Sequence, residues 1–312
     1  MTGPFVSVII PTYNRAHTVS ETIDSVLQQT YPNVEVIVID DGSKDNTQEI
    51  LRGYGTRIRN IRQDNAGQMV ARNRGIREAR GEIISFLDSD DLWLPHCLER
   101  HVRLLRKAPA EVPCSLANGW LHFSDGRKMT SFQNSHLVSS TEEGLCLNMP
   151  DILATRFVMF CQFIAIRREA LDKAQGFDED LKFMEDYALP LRLSILGPWA
   201  FICEPLVIWR QGLPGSVSVS QRAIKQEKEL RESLGIIRKR YLEMIHGQAQ
   251  FTKSRKLQLM GLHLDQVELR AIALRGQGHE ILGDLLFKTV QYRKGLFRRG
   301  PWFPKMKVAE LI

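Results

Sequence analysis

Three carboxylates fall within four positions, at Asp88, Asp90 and Asp91, directly after an apolar run, Ile83 to Leu87, that reads as a buried strand. In an extended chain successive side chains alternate, so Asp88 and Asp90 point one way and Asp91 the other. Converging carboxylates at the end of a buried strand are costly unless something positive sits between them. Mg²⁺ or Mn²⁺ meets that need, because hard divalent cations take oxygen ligands and share them with substrate phosphates. The same letters suit an acidic turn in which Asp88 or Asp91 caps the helix that Pro95 helps to start. Spacing alone does not separate the two.

These residues need a scaffold, and the apolar periodicity supplies one. Phe5 to Ile10 and Val34 to Ile39 are continuous, β-branched runs of the kind buried on both faces of a sheet. Between them, Thr18 to Gln29 has helical spacing at Val19, Ile23, Val26 and Leu27. Asp45 with Gln48 resembles a capping box for a helix to about Tyr54, followed by a short strand at Ile58 to Arg62. Gln68 to Ala79 reads as a helix closed by Gly81. Strand and helix alternating in this way predict a parallel α/β sheet, whose ligands bind beyond the carboxyl ends of the strands. Pro11-Thr12-Tyr13, Asp40-Asp41-Gly42 and Asp88 to Asp91 then line one crevice.

Farther along, a helix is expected from Pro95 to about Lys107, then an extended stretch from Cys114 to Phe123 and a hairpin turn at Ser124 to Arg127. Residues 130–158 carry no clear period. Gln162 to Arg167 is expected as a strand, and Phe183 to Tyr187 opens a helix to about Leu196 that contains Pro190. Trp199 to Ile202 and Leu206 to Trp209 read as two strands split by Pro205, and Gly212 to Ser220 as a linker or lid. Three helices are expected beyond it, at Ala223 to Ile245, Lys253 to Leu274 and Glu280 to Tyr292.

The bulk composition narrows the function classes. The chain has 312 residues, 43% hydrophobic and 25% charged, as in ordinary globular proteins. No apolar run is long enough to span a bilayer, and no signal-peptide pattern opens the chain. Five cysteines without a Cys-x-x-Cys pair argue against a disulfide framework or zinc site and for a reducing cytoplasm. From Gln221 onward the net charge is +10, against −4 for the rest, so the basic character belongs to the tail. Gly295 to Lys307 interleaves basic and aromatic residues, which suits an interfacial membrane contact as well as a solvated end. A P-loop kinase is excluded for want of Gly-Lys-Ser/Thr, and a nucleotidyltransferase would need a glycine-rich basic loop where Pro11-Thr-Tyr-Asn-Arg15 stands.

The order of the motifs resembles a known family. Val6-Ser-Val-Ile-Ile-Pro-Thr-Tyr-Asn14, Val36-Ile-Val-Ile-Asp-Asp-Gly-Ser43, Asn65-Ala-Gly67 with Ala71-Arg-Asn-Arg-Gly75, Phe86-Leu-Asp-Ser-Asp-Asp91 and Glu185-Asp186 together resemble the family 2 glycosyltransferases. These are inverting, nucleotide-sugar-dependent enzymes of the GT-A fold, and the resemblance runs roughly from residue 5 to 210. It implies an α/β, Rossmann-like, mostly parallel sheet flanked by helices; the C-terminal helical extension read from the spacing lies outside the resemblance. Residues 1–212 would form the catalytic domain, with a nucleotide-sugar half of about 1–107 and an acceptor half of about 108–212. Residues 213–312 would form a basic helical region.

The resemblance also implies roles. Pro11, Thr12 and Tyr13 would hold the nucleoside, Asp41 the base (typically uracil), and Asp88 the ribose or sugar. Asp90 would ligate Mg²⁺ or Mn²⁺ at the diphosphate, Arg72 would lie near the donor, and Asp186 would be the catalytic base. The implied partners are a nucleoside-diphosphate sugar and a saccharide or lipid-linked acceptor, with no nucleic acid. The implied location is the cytoplasm, where the basic tail admits a peripheral contact with the inner face of the membrane. The chain departs from the family at Gly212, where many relatives carry a histidine, and at Pro190, and it lacks the Gln-x-x-Arg-Trp motif of processive synthases. Transfer of single sugars is therefore expected, for envelope polysaccharide or glycolipid. The alternative is a non-catalytic carbohydrate- or nucleotide-sugar-binding protein of the same fold.

Overall fold

Strand β1 (Val6–Thr12) is buried along its whole length, as its apolar run requires. The computed structural model describes residues 3–155, 161–181, 185–213, 227–247, 252 and 308–309, some helical positions by backbone alone. Helix α1 (Val19–Leu27) buries Val19, Thr22, Ile23 and Val26. The chain continues through β2 (Val34–Asp40), α2 (Thr47–Gly53), β3 (Arg59–Arg62), α3 (Gln68–Glu78) and β4 (Ile83–Phe86). The strand order β4-β1-β2-β3 is parallel throughout. Its direction of growth reverses at β1, which opens a crevice between the ends of β1 and β4.

The second half extends the same sheet. It comprises β5 (Leu92–Trp93), α4 (Cys97–Lys107), β6 (Cys114–His122), β7 (Lys128–Thr130), α5 (Ser131–Asn134), β8 (Glu143–Cys146), α6 (Met149–Thr155), β9 (Ile164–Arg167), α7 (Arg168–Lys173), α8 (Glu185–Ser194) and β10 (Trp199–Arg210). Helix α9 (Glu227–Gly247) and strand β11 (Val308–Ala309) follow. The main path is β11-β8-β10-β6-β9-β4-β1-β2-β3, with β5 on β10 and β7 on β6. Strands β9 and β8 run against the rest of that path, so most strands point one way. The ends of β1, β2, β4, β6 and β10 thus share one edge.

Close packing behind this edge explains one motif glycine. A Cβ on Gly75 of α3 would lie 2.3 Å from Ile9 Cγ2, so the helix reaches β1 only because no side chain intervenes. Gly81 acts similarly rather than as the expected helix cap. Its virtual Cβ would meet Ser7 N at 2.5 Å and Phe5 O at 2.8 Å, while α3 ends in an extended Ala79.

Other expectations also change. The capping box at Asp45 is absent: Asn46 is the N-cap and makes no side-chain capping bond, while Asp45 accepts from Thr47 N at 3.1 Å and Ala16 N at 3.1 Å. Trp199 to Arg210 is one strand, with register shifts around Pro205 in place of a break. Residues 130–158 hold α5, β8 and α6, and Thr130 caps α5 with a true capping box. The C-terminal region is not purely helical, since β11 pairs with β8 at the sheet edge. Helix α9 matches the first expected C-terminal helix; the other two lie outside the described residues.

His101 of α4 is buried against Ser115 of β6, with Nδ1 and Oγ 2.9 Å apart. Burial lowers its pKa to about 3. The unfolded chain protonates it near the ordinary value of about 6.5, so below that pH the unfolded state holds a proton that the native state refuses. Stability is therefore lost as pH falls below about 6.5. From pH 7.5 to 5 this one group should remove about 2 kcal/mol. Urea unfolding of His101→Gln at both pH values should show a pH-dependent loss smaller than wild type by that amount. An equal loss in both proteins would refute the assignment.

Candidate active site

The segment leaving β1 turns sharply. Thr12 is 3% exposed, and its Oγ1 has no hydrogen-bond partner among the described residues. Tyr13 is 39% exposed, Pro11 is buried, and Asn14 takes a φ of +53°. Asn14 N donates to Ser43 Oγ at 2.9 Å, and Arg15 N to Thr47 Oγ1 at 2.9 Å, which ties this segment to the one after β2. A buried hydroxyl without a partner at a strand end is an exception that calls for a ligand or water.

Asp41 follows β2 and is 3% exposed. Its Oδ1 accepts from Gln63 Nε2 at 2.8 Å and Ala66 N at 2.9 Å, and its Oδ2 from Gly67 N at 2.8 Å. The carboxylate thus anchors the loop that enters α3, where the helix dipole favours negative charge. The structure gives Asp41 this anchoring contact, and most of its acceptor capacity is used there.

Asp88 to Asp91 form a turn, closed by Asp91 N donating to Asp88 O at 3.0 Å, rather than an extended chain. The expected alternation therefore does not apply, and each acid finds its own partner. Asp88 Oδ1 accepts from Arg72 Nη2 at 2.6 Å and Gln68 Nε2 at 3.1 Å. Asp90 Oδ2 lies 3.3 Å from Arg15 Nε. Asp91 accepts from Gln162 Nε2 at 2.8 Å and Arg210 N at 2.9 Å. Burial first, then repulsion from Asp90 and Asp88, pushes the Asp91 carboxyl well above the usual carboxylate range, against the pull of Arg210. Asp91 is thus held inside the fold, at 1% exposure, by contacts within the protein.

The positive charge that the acidic cluster requires comes partly from arginines. Arg72 is fully buried, so it touches Asp88 from behind and cannot present itself to solvent. Arg210 also donates Nε to Asp90 O at 2.6 Å, which holds the turn by its backbone. Arg15 and Gln162 carry no sequence signal of their own, and Arg210 stands two residues before Gly212, where the family's histidine is replaced. Arg15 adjoins the Pro-Thr-Tyr-Asn motif, and its register beside Asp90 exists only through the strand order.

Among the described residues no group of three or more His, Cys, Asp or Glu side chains gathers to hold a metal. A cation bound between protein and diphosphate commonly uses only one or two carboxylates. Asp90 fits that description: its side chain is 21% exposed, as is that of its ion-pair partner Arg15, so the pair opens to solvent on one side. The side chains of Glu185 and Asp186 lie outside the described residues; their backbone forms the first turn of α8.

Comparison with known proteins follows the same lines. The family model for glycosyl transferase family 2 matches residues 7–174. An uncharacterized glycosyltransferase of Bacillus subtilis strain 168, EpsJ, is 34% identical over 202 residues, covering 61% of this chain and 56% of EpsJ. WfgD of Escherichia coli, named as a UDP-Glc:alpha-D-GlcNAc-diphosphoundecaprenol beta-1,3-glucosyltransferase, is 44% identical over 104 residues, or 33% of this chain and 41% of WfgD. An uncharacterized glycosyltransferase of Rickettsia typhi is 46% identical, but the match spans only 33% of its length. The crystal structure of S. aureus TarS 1-349 in complex with UDP superposes with a TM-score of 0.63 at 18% identity, covering 98% of this chain and 96% of that one. A Pyrobaculum calidifontis mannosyltransferase in complex with GDP-Man and Mn²⁺ gives 0.57 at 20% identity, covering 95% and 81%. At these identities the structural likeness carries the fold alone, the GT-A fold.

Proposed function

The chain belongs to glycosyl transferase family 2, and from that premise we propose that it moves one sugar at a time from a nucleoside-diphosphate sugar to an acceptor hydroxyl, inverting the anomeric centre. The observation that carries this reading is the shared edge where β1, β2 and β4 end, which brings Thr12, Asp41, Asp88 and Asp90 together. Thr12 Oγ1, buried without a partner among the described residues, suits a nucleoside polar group, with Pro11 and Tyr13 beside it. Asp41 shapes the base pocket by holding the 63–67 loop, and one lone pair remains for a base such as uracil. Asp88 orients the ribose or sugar, itself oriented by Arg72.

In the reaction the acceptor oxygen attacks the anomeric carbon from the face opposite the diphosphate. A new glycosidic bond forms, the bond to the phosphate oxygen breaks, and the acceptor proton goes to a carboxylate, for which Asp186 is the candidate. Asp90 would hold Mg²⁺ or Mn²⁺; when bound, the ion neutralises charge growing on the departing diphosphate. Arg15 lies beside Asp90 and adds a second cation on that side.

WfgD's name points to a lipid-linked acceptor, and such an acceptor would suit a protein working against the membrane. No helix among the described residues is long and apolar enough to cross one, and the five cysteines are unbridged, as in a reducing cytoplasm. The basic segment 295–307 lies outside the described residues. It would attach the protein to anionic lipid by charge and aromatic insertion. Co-sedimentation with phosphatidylglycerol vesicles should retain the full chain in low salt, and a variant with Arg298, Arg299, Lys305 and Lys307 replaced by glutamine should stay in solution. Equal retention of the two would refute the tail's role.

Thermal stabilisation by UDP-, GDP- and dTDP-sugars, with and without Mn²⁺, tests the donor assignment and identifies the nucleotide. One of them should raise the melting temperature more with Mn²⁺ than without. If none does, the donor assignment fails. If one does but no acceptor is ever glycosylated, the protein is the non-catalytic binder of the same fold.

A further inference from the structure

The family match ends at residue 174, yet the loop that follows links the two parts of the chain. Gln175 and Gly176 both take positive φ, +62° and +64°, which turns the backbone sharply between α7 and α8. Phe177 then packs edge-on against Phe86, the last residue of β4, at 5.1 Å. The Arg72 guanidinium lies over the same ring at 5.2 Å while donating to Asp88. Asn73 clamps the loop from α3 through Nδ2 to Phe177 O at 2.9 Å, Nδ2 to Glu179 Oε1 at 2.8 Å and Oδ1 from Phe177 N at 2.9 Å.

The next residue, Asp178, is held by two other helices. Arg192 of α8 donates to one of its oxygens and Arg240 of α9 to the other, at 2.5 Å for Arg240. Arg240 also forms a two-pronged pair with Asp180, at 2.9 and 2.7 Å. Arg192 secures the turn itself through Ala174 O at 2.8 Å and Gly176 O at 2.5 Å. A small cavity between α8 and α9 is lined by Ala188, Leu191, Arg192, Ile237, Arg240 and Tyr241, so the two helices lie side by side. The path from α9 to the acidic turn is therefore continuous: Arg240, Asp178, Phe177, Arg72, Asp88.

We infer that Arg240 is a positioning residue of the active site, and that α9 sets the placement of the Arg72–Asp88 pair and of helix α8. Asp178 carries the coupling because it joins α8 and α9 at the residue adjoining Phe177. Under this inference the C-terminal region completes the catalytic unit rather than following it as a separate appendage. The part concerning donor binding rests on the function proposed above.

The test uses the full chain and three variants: Arg240→Met, which keeps the aliphatic stem; Arg240→Lys, which keeps one charge; and Phe177→Leu. Hydrogen exchange without ligand should rise at residues 174–181 and again at 86–91 in Arg240→Met, and return part-way in Arg240→Lys. UDP titrated with Mn²⁺ should bind Arg240→Met about three- to tenfold more weakly than wild type. Combining Arg240→Met with Phe177→Leu should weaken binding little beyond the worse single variant, because both cut one path. Faster exchange confined to α9 and 174–181, or fully additive losses in the cycle, would overturn the inference and leave α9 with a purely stabilising role. If wild type binds no nucleotide, the donor reading fails, while the exchange pattern at 86–91 still decides the coupling.

Discussion

Replacing Asp186 with asparagine should lower the transfer rate at saturating substrates by about 10²–10⁴-fold, the range set by losing a positioned general base. Asparagine keeps the size and most of the hydrogen bonding of aspartate but cannot take up the acceptor's proton. The attacking hydroxyl must then lose its proton to water while the transition state forms. Donor affinity should stay within about twofold, since in the proposed role the residue acts on the acceptor and only in the transition state. Asp186 lies at the start of α8, the helix that Arg192 ties to the 174–181 loop. A loss confined to donor affinity, or full activity in Asp186→Asn, would assign the proton transfer to another residue. Glu185 is the next to replace.

Replacing Asp90 with alanine should remove the Mn²⁺-dependent part of nucleotide binding and lower turnover on the order of 10²–10³-fold, from several kcal/mol of lost charge stabilisation at the diphosphate. The fold should survive. The Asp90 side chain, like that of Arg15, is 21% exposed, so solvent reaches their ion pair from one side and screens it. Its removal also takes away one of the two carboxylates that repel buried Asp91. Arg15 remains in Asp90→Ala and should sustain weak nucleotide binding without metal, because it is a cation with a vacated partner. Isothermal titration with and without Mn²⁺ separates the two contributions. Identical Mn²⁺ dependence in wild type and variant would show that Asp90 does not hold the ion. Loss of folding would show instead that Asp90 is a structural member of the turn.

Much of the scaffold was legible because it is local. Continuous apolar runs became β1, β2 and β4, and helical spacing became α1, α3 and α4, within a residue or two at most ends. The common edge for Thr12, Asp41 and Asp88 followed from the alternation of strand and helix. The misses share a different origin, namely contacts between residues far apart in sequence. Pro205 reads as a break, but pairing with β6 on both sides of it carries β10 across with a bulge. Gly81 reads as a cap, but the close backbone of β1 is what requires it. The side-chain alternation that an extended Asp88 to Asp91 predicts gives way to the turn that the same letters also suit, held by Arg72, Arg15 and Arg210 from positions up to 120 residues away. Arg72 belongs to a motif that the family resemblance brings near the donor, but no local pattern announces its pairing with Asp88 or that of Arg15 with Asp90. Residues 130–158 lacked a period because α5, β8 and α6 are short and each is stabilised by pairing or packing elsewhere.

The central claim is that the crevice at the ends of β1, β2 and β4 binds a nucleoside diphosphate in a way that depends on its acidic turn. Titration of UDP and GDP into the full chain, at matched Mn²⁺ and in chelator, measures this directly. One nucleotide should bind wild type at least tenfold more tightly with Mn²⁺, and Asp90→Ala should show no such gain. Absence of binding by either nucleotide, or a Mn²⁺ gain that persists in Asp90→Ala, would contradict it.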